Sequence, residues 1–438
     1  MKCGFFELDV TPALGSVIPG DFAARYSDEI LDALYVRAFV AQNESKTLAI
    51  ASIDACGITA DITEKIRTRV AARIPIAPTD IMVMATHAHG GGPTLTWGEE
   101  VVRDEDYLKL LTAKTADAIC EAWRRAEDSA LYVGSEELFD VSYVRVYRMK
   151  GNRLLTNPGK AMIDEIEAPC TTIDPEVLVL AVKQKDTFVG ALIHFTTHPA
   201  TVATTQITGD YISGLSAKMK QLYGSAFVTV YINGACGNIN HLNPFDDATR
   251  AKDRYRTVGE SIAEKAHLAI SHAKKMEART LYAASETVDV KLRKPDESQL
   301  LAAKQLFDSL GDGLIDSVPG TPNYINTFFA LQAFWIMADK QTVRRVQLQL
   351  FKIGDCYLVG TPTQLFVEYG KRMKSIAPGR CFVSAFANDY CGYVPTPECM
   401  KEGVYEARLA KTSALEPAAG DKITDAVIEM MKRAEAAH

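Results

Sequence analysis

Four strand-length apolar runs each end in a loop rich in glycine, histidine, asparagine or aspartate, and no other feature of the sequence constrains the fold as much. Residues 80–85 run into His87-Ala88-His89-Gly90-Gly91-Gly92-Pro93, and residues 193–195 into Thr197-His198-Pro199. Residues 226–232 end at Asn233-Gly234-Ala235-Cys236-Gly237-Asn238, and residues 383–387 at Asn388-Asp389-Tyr390-Cys391-Gly392-Tyr393. Short apolar runs bounded by turn residues read as buried strands. Helical periodicity lies between them, at 62–74, 104–126, 213–223, 249–275 and from about Asp421 to the C-terminus. Hairpins are expected at 34–41/47–54, 177–183/188–195 and 343–353/356–359, and further strands at 130–137 and 140–149. The expected class is α/β: a large mixed β-sheet core flanked by helices, with the site built from loops at strand ends, where such folds place their ligands.

No linker rich in Ser, Gly or Pro divides the chain, so 1–438 is expected to be one catalytic-type domain. Region 279–340 stands apart, with a strand at 281–292 and two helices, 296–310 and 324–339, broken at 319–322. It reads as a helical insertion or subdomain. No repeat of 20–50 residues is present.

Composition limits the function classes. The chain has 438 residues, 47% apolar and 24% charged, with a net charge of −7. This acidic balance argues against nucleic acid or an anionic membrane surface as the main partner. No run approaches the roughly 18 apolar residues of a membrane span. Nine cysteines without a C-x-x-C pair read as reduced thiols, and the opening residues carry no secretion signal, so a cytoplasmic location is expected. There is no phosphate-binding loop, dinucleotide fingerprint or G-x-S-x-G elbow.

The histidines carry the chemistry. In an extended segment, His87 and His89 point the same way and can face one cavity. The glycines after them allow close backbone approach and expose N–H groups. His198 ends an apolar strand, with His194 four residues earlier and His241 just beyond the Asn-rich loop. Neutral imidazole is the commonest metal ligand and a ready proton carrier. Asp210 reads first as an acid at a helix N-terminus and second as a partner orienting a histidine. The 233–240 turn could form a backbone nest for an oxyanion. Cys236 reads as structural; a cysteine hydrolase built on it is the weakest alternative.

Together these segments resemble the N-terminal catalytic domain of the neutral/alkaline (non-lysosomal) ceramidase family. The likeness keeps motif order over nearly the whole chain. Phe6-Glu7-Leu8-Asp9-Val10-Thr11-Pro12 looks like the family's opening segment, and Thr86–Pro93 like its T-H-T-H-S-G-P motif. Thr197-His198-Pro199-Ala200-Thr201 with Gly209-Asp210-Tyr211, the 233–240 turn, and Asn388–Thr396 are similar to further motifs. The resemblance implies one Zn2+ held by His87, His198 and Tyr393, with His89 as general base. It implies that Arg145 and Tyr405 bind the substrate amide and stabilise its oxyanion. The family's fourth ligand is a Glu; here that turn is Thr361-Pro362-Thr363-Gln364, so Gln364 stands in the ligand position, with Glu368 a possible substitute. Asn238 replaces an acidic residue of the family, and one glycine is added after the H-x-H pair.

The implied function is zinc-dependent hydrolysis of an amide (N-acyl) or ester bond in a small molecule, in a divergent relative whose substrate differs from ceramide. The alternative is a non-catalytic relative that binds a small ligand after losing the zinc-ligand carboxylate.

Overall fold

The computed structural model describes residues 1–97, 101–202, 204–277, 280–310 and 322–436. Its architecture is mixed α/β, as expected, and the sheet core is divided into three sheets of the same topology.

The first sheet is built from β1 (Lys2–Asp9), β2 (Tyr35–Gln42), β3 (Thr47–Ile53) and β4 (Ile81–Ala85). β1, β2 and β3 run antiparallel. Helix α1 (Ala60–Ala71) then carries the chain across to β4, which lies parallel to β3. Helix α2 (Glu105–Arg124) follows, and Asp104 caps it by accepting from the N–H groups of Asp106 and Tyr107. The next short strand, Glu127–Asp128, returns to pair with β1.

The second sheet repeats this order. β5 (Ala130–Glu137) is followed by the short strands β6 (Tyr143–Val144) and β7 (Val146–Met149), which lie outside the sheet. β8 (Glu176–Gln184) and β9 (Thr187–Phe195) form the expected hairpin, α3 (Tyr211–Tyr223) crosses over, and β10 (Val228–Asn233) pairs parallel to β9. Helix α4 (Arg254–Ser271) follows, and Lys274–Met276 returns to pair with β5.

The third sheet does so again. β11 (Leu281–Lys291) is joined to its neighbour through α5 (Glu297–Leu310) and α6 (Pro322–Ala338). β12 (Val343–Ile353) and β13 (Cys356–Gly360) continue the antiparallel run. After the short β14 (Gln364–Leu365), α7 (Val367–Lys374) crosses to β15 (Cys381–Ser384), parallel to β13. The two-residue β16 (Tyr393–Val394) pairs with β14, and α8 (Ala419–Ala436) ends the described chain.

Each unit is therefore three antiparallel strands, a helical crossover, a fourth parallel strand and a covering helix. The outer face of each sheet packs on its own two helices: Val36, Ala38 and Val40 with Ile62, Ile66 and Leu111 in the first unit. Val179, Ala181 and Ile193 do so with Leu215 and Ile262 in the second, and Val346, Leu348 and Val359 with Met373 and Val427 in the third. The inner faces meet in a single core containing Phe39, Ile50, Leu180, Val230, Phe351 and Phe382. Strands buried on both faces read as continuous apolar runs. Each fully buried large apolar side chain contributes about 1.5–3 kcal/mol.

Several boundaries differ from expectation. The strand expected over 140–149 is split at Arg145, whose backbone N–H donates to Asn238 O. The helix expected from residue 249 begins at Arg254, after a 3-10 turn at Asp247–Arg250. The last apolar run pairs only as Cys381–Ser384, because the backbone of Ala385–Asn388 is taken up by Asn233, Val83, Ala85 and Thr361. β1 was not marked as a strand, although it has neighbours on both sides. The break at 319–322 lies mostly outside the described residues.

Gly4 of β1 and Gly134 of β5 occupy comparable places, where the covering helix of each unit lies closest to its sheet. A Cβ on Gly4 would fall well inside contact distance of Ala122 O in α2, and one on Gly134 inside that of Ala269 O in α4. Gly4→Ala and Gly134→Ala should each lower unfolding free energy by about 1–3 kcal/mol through overpacking, measured by urea denaturation.

Candidate active site

A cavity of ≈ 500 Å3 opens beyond the ends of the parallel strands and is lined by His87, His89, Arg145, His198, Gln364, Tyr393 and Tyr405, together with Tyr390 and His241. The structure thus brings to one pocket the seven residues to which the resemblance gave a ligand or catalytic role.

His87 and His89 follow β4, and His198 follows β9. His198 Nε2 lies 3.2 Å from His87 Nε2 and 3.1 Å from His89 Nε2. His87 Nδ1 is 2.5 Å from Cys56 O; a carbonyl only accepts, so the proton sits on Nδ1 and Nε2 presents a lone pair. The other two rings are held in the same sense. His89 hydrogen-bonds the backbone of Gly20 and His198 that of Cys236, each with its Nδ1 side toward that residue. Burial pushes His87 down to about 3 and holds His89 and His198 well below the ordinary imidazole range, with the neighbouring rings and Arg145 adding to the effect. The three rings are therefore neutral.

The way the two rings of the H-x-H pair meet differs from expectation. The segment is not extended: His87 has φ +69°, a left-handed conformation that costs a non-glycine residue of order 1–3 kcal/mol. The His87 N–H donates to Ala55 O and the ring stacks on Phe386, centroids 4.1 Å apart, and these contacts hold the kink.

The glycines after His89 serve packing and not ligand approach. A Cβ on Gly90 would come within 2.5 Å of Thr208 Cγ2 and one on Gly91 within 2.7 Å of the Ala55 Cα, while one on Gly92 would collide with the Tyr107 ring. Three N–H groups of the 233–240 turn are spent on backbone carbonyls: Gly234 donates to Phe195 O, Gly237 to Leu365 O and Ile239 to Cys236 O.

Gln364 and Tyr393 face each other across the β14/β16 pair. The Gln364 amide Nε2 donates to the Tyr390 hydroxyl, and its buried Oε1 has no hydrogen-bond partner. Glu368 does not substitute for it: its carboxylate accepts from Asn238 Nδ2, and it is not part of the cavity lining. Asn238 Oδ1 in turn accepts from Val367 N–H at the start of α7, a task an amide performs without the acid.

Arg145 enters from the break between β6 and β7. It donates to Gly237 O at 2.5 Å, its Nε lies 2.7 Å from Glu406 Oε1, and its guanidinium sits 5.4 Å from the centroid of the Tyr393 ring. Glu406 is fully buried and also accepts from Thr156 Oγ1. The Tyr405 ring lies 6.1 Å from that of Tyr393 and is 37% exposed, so it stands at the cavity mouth. Burial raises the phenols of Tyr390 and Tyr393 above the ordinary tyrosine range, and Arg145 opposes this for Tyr393.

Among the described residues, Asp210 forms no hydrogen bond with a histidine. Its carboxylate accepts from Thr201 N, Thr201 Oγ1, Val202 N and Tyr211 N, and so ties the loop after His198 to the start of α3. His194 is buried outside the cavity. Cys236 is buried, its thiol pushed up to about 12, which makes it a poor nucleophile. Cys56 forms a potential donor group with His87 and His89, but it lies on the Nδ1 side of His87 and burial likewise pushes its thiol up to about 12. The imidazole Nε2 atoms are the better donor set.

Sequence reasoning missed Glu406, Cys56 and the aromatic lining of Phe22, Trp97, Phe328 and Phe329. Glu406, adjacent to Tyr405, had no local signal. Phe328 and Phe329 fall in the 279–340 region, which the sequence marked as a helical insertion or subdomain.

Glu406→Gln removes the carboxylate facing the buried Arg145 and should cost about 3–5 kcal/mol in chemical denaturation. Asp210→Ala frees the His198 loop and should cost about 2 kcal/mol or more by the same assay.

No family model and no curated protein matches the chain. Among solved structures it is similar to a crystal structure of neutral ceramidase from Pseudomonas aeruginosa, at 19% identity and a TM-score of 0.75, covering 98% of this chain and 73% of that one. A ceramidase complexed with C2 is similar at 18% identity and a TM-score of 0.73, covering 98% of this chain and 74% of that one. The chain therefore shares the fold of these ceramidases.

Proposed function

We propose that this chain is a zinc-dependent hydrolase of an N-acyl amide bond. The observation that carries the reading is the set of imidazole Nε2 lone pairs turned toward one another at the cavity floor. Two nitrogen ligands at 2.0–2.1 Å from a tetrahedral metal lie roughly 3.3 Å apart. The His87–His198 separation of 3.2 Å comes close to that spacing, and His89 Nε2, 3.1 Å from His198 Nε2, stands beside the pair as a proton acceptor. Each ring hydrogen-bonds backbone on its other side, the arrangement that orients metal-ligating histidines. The orphaned Gln364 Oε1 supplies a further oxygen donor.

In this reading His87, His198, Tyr393 and Gln364 hold the ion, which would supply Lewis acidity and make water a competent nucleophile near pH 7. His89 accepts the proton released as water attacks and returns it to the departing amine. Its neutral state leaves Nε2 free to accept. Arg145, fixed by Glu406 and Gly237, offers its remaining N–H groups to the carbonyl oxygen as charge develops on it, and the Tyr405 hydroxyl adds a second donor from the mouth. Aromatic side chains exclude water around the scissile bond. The small-ligand-binding alternative rests on one observation, the amide at position 364 in place of a carboxylate.

The purified protein should contain about one zinc per chain by elemental analysis and release an amine from N-acyl substrates. Chelation should abolish the activity and zinc restore it. His87→Ala should lose metal and activity together; full activity in that variant rules the mechanism out. Gln364→Glu should tighten zinc roughly tenfold, about 1.4 kcal/mol, in a competition titration. No zinc uptake by the native chain would favour the ligand-binding alternative.

A further inference from the structure

The mouth of the cavity carries cations without acidic partners, in a chain whose net charge is −7. Three basic residues line the cavity: Arg145, Arg408 and Lys411. Arg145 is committed to Glu406. The one acid in the lining, Asp21, is 4.0 Å from Arg25. Among the described residues, neither Arg408 nor Lys411 forms an ion pair with a carboxylate. Arg408 is half-buried, its guanidinium carbon 3.7 Å from the centroid of the Phe329 ring, and one NH2 donates to the neutral Asn326 side chain at 3.2 Å. Lys411 places its ammonium 5.2 Å from the Trp335 ring centroid, and its backbone N–H is fixed by Gln332 Oε1. α6 thus holds both cations in place through aromatic faces and amides.

A guanidinium stacked on a ring keeps its edge free for a planar, two-pronged acceptor. Phe329 is also in ring contact with Tyr405, which contacts Tyr393, so Arg408 stands two aromatic rings out from the floor. The lining between is apolar on one side, from Phe22 and Phe328.

We infer that the substrate of this site is an amide whose amine side ends in a carboxylate on an extended chain, of the N-acyl ω-amino acid type, with the carboxylate held by Arg408 and Lys411 at the mouth while the amide lies over the histidines, two aromatic rings deeper. The inference rests on the hydrolase reading for its reaction, but the anion site is testable without it. A neutral lipid amide offers these two cations hydrogen-bond acceptors but no charge to pair with. A carboxylate gains a charge-assisted, two-pronged contact in a partly desolvated setting.

The test compares matched pairs. For hydrolysis the pair is N-dodecanoyl-8-aminooctanoate, whose carboxylate stands a long extended chain away from the amide, and its neutral primary amide. For binding without reaction it is the corresponding ketones, 10-oxohenicosanoate and its primary amide, followed by calorimetry. The native protein should favour the carboxylate member about tenfold or more in both assays. The preference should collapse toward one in Arg408→Gln/Lys411→Gln and persist in Arg408→Lys. Equal handling of both members overturns the proposal, and hydrolysis of both alike leaves the hydrolase reading standing alone. Preferential binding of the ketone acid without any amide hydrolysis upholds the anion site and removes the hydrolase reading. Loss of preference in Arg408→Lys as large as in Arg408→Gln would trace the effect to packing on Phe329 and overturn the charge argument.

Discussion

Parallel strands need a crossover, and that constraint, met three times in this chain, sets the position of everything else. Two parallel strands cannot be joined by a tight turn, so α1, α3 and α7 each carry the chain back to start the next strand from the same end. The carboxyl ends of β3 and β4, of β9 and β10, and of β13 and β15 therefore lie on one side of their sheets. The backbone links them: Ala85 N–H donates to Phe386 O, Ala385 N–H to Asn233 O, and the Asn233 side chain to Thr86 O. Cys56, His87, His198, Cys236, Gln364 and Tyr390 all lie within six residues of one of these ends. The shared inner core of Phe39, Leu180 and Phe351 holds the three units against each other, so site geometry and core packing are one problem.

Burying three imidazoles at that junction has an electrostatic consequence. A histidine removed from water must stay neutral, and backbone carbonyls decide which nitrogen keeps the proton. Cys56 O does this for His87. The lone pair is then forced to the opposite edge, toward His198. A left-handed His87 is part of the same arrangement, because strain at a site persists when surrounding contacts over-determine it. Here the contacts are the Phe386 stack and the hydrogen bond to Ala55 O.

Much of this was legible because it is local. Runs such as 80–85 and 226–232 advertise doubly buried strands, and the polar loops after them mark strand ends. Asp104 and the apolar spacing after it define α2. The ceramidase-like motifs picked out His87, His89, Arg145, His198, Gln364, Tyr393 and Tyr405, which the fold gathers around one cavity. What stayed hidden depends on the third dimension or on long period. The threefold unit repeats at well over a hundred residues and is carried by topology, with Gly4 and Gly134 as rare matching residues. Glu406 matters only because Arg145, 261 positions away in sequence, lands on it. The H-x-H pair was assigned an extended backbone, whereas contacts with Ala55 and Phe386, remote in sequence, kink it. The glycines at 90–92 were given to ligand approach; they exist because Thr208, Ala55 and Tyr107 press on them.

The neutral amide of Gln364 gains its meaning from charge. With the imidazoles neutral and an amide in that turn, Tyr393 is the only group in the proposed donor set able to offset a divalent ion, and Arg145 lowers the cost of ionising it. Glu406 neutralises Arg145 in turn, but from behind, on the side away from the cavity lining. The floor of such a site is more positive than one with a glutamate ligand, and Arg408 and Lys411 extend the same sign to the mouth. A cavity of that polarity lowers the energy of an anionic ligand along its whole length and adds little for a neutral one. The amide at position 364 and the cations that form no ion pair among the described residues thus act in the same electrostatic sense, within a fold shared with the ceramidases.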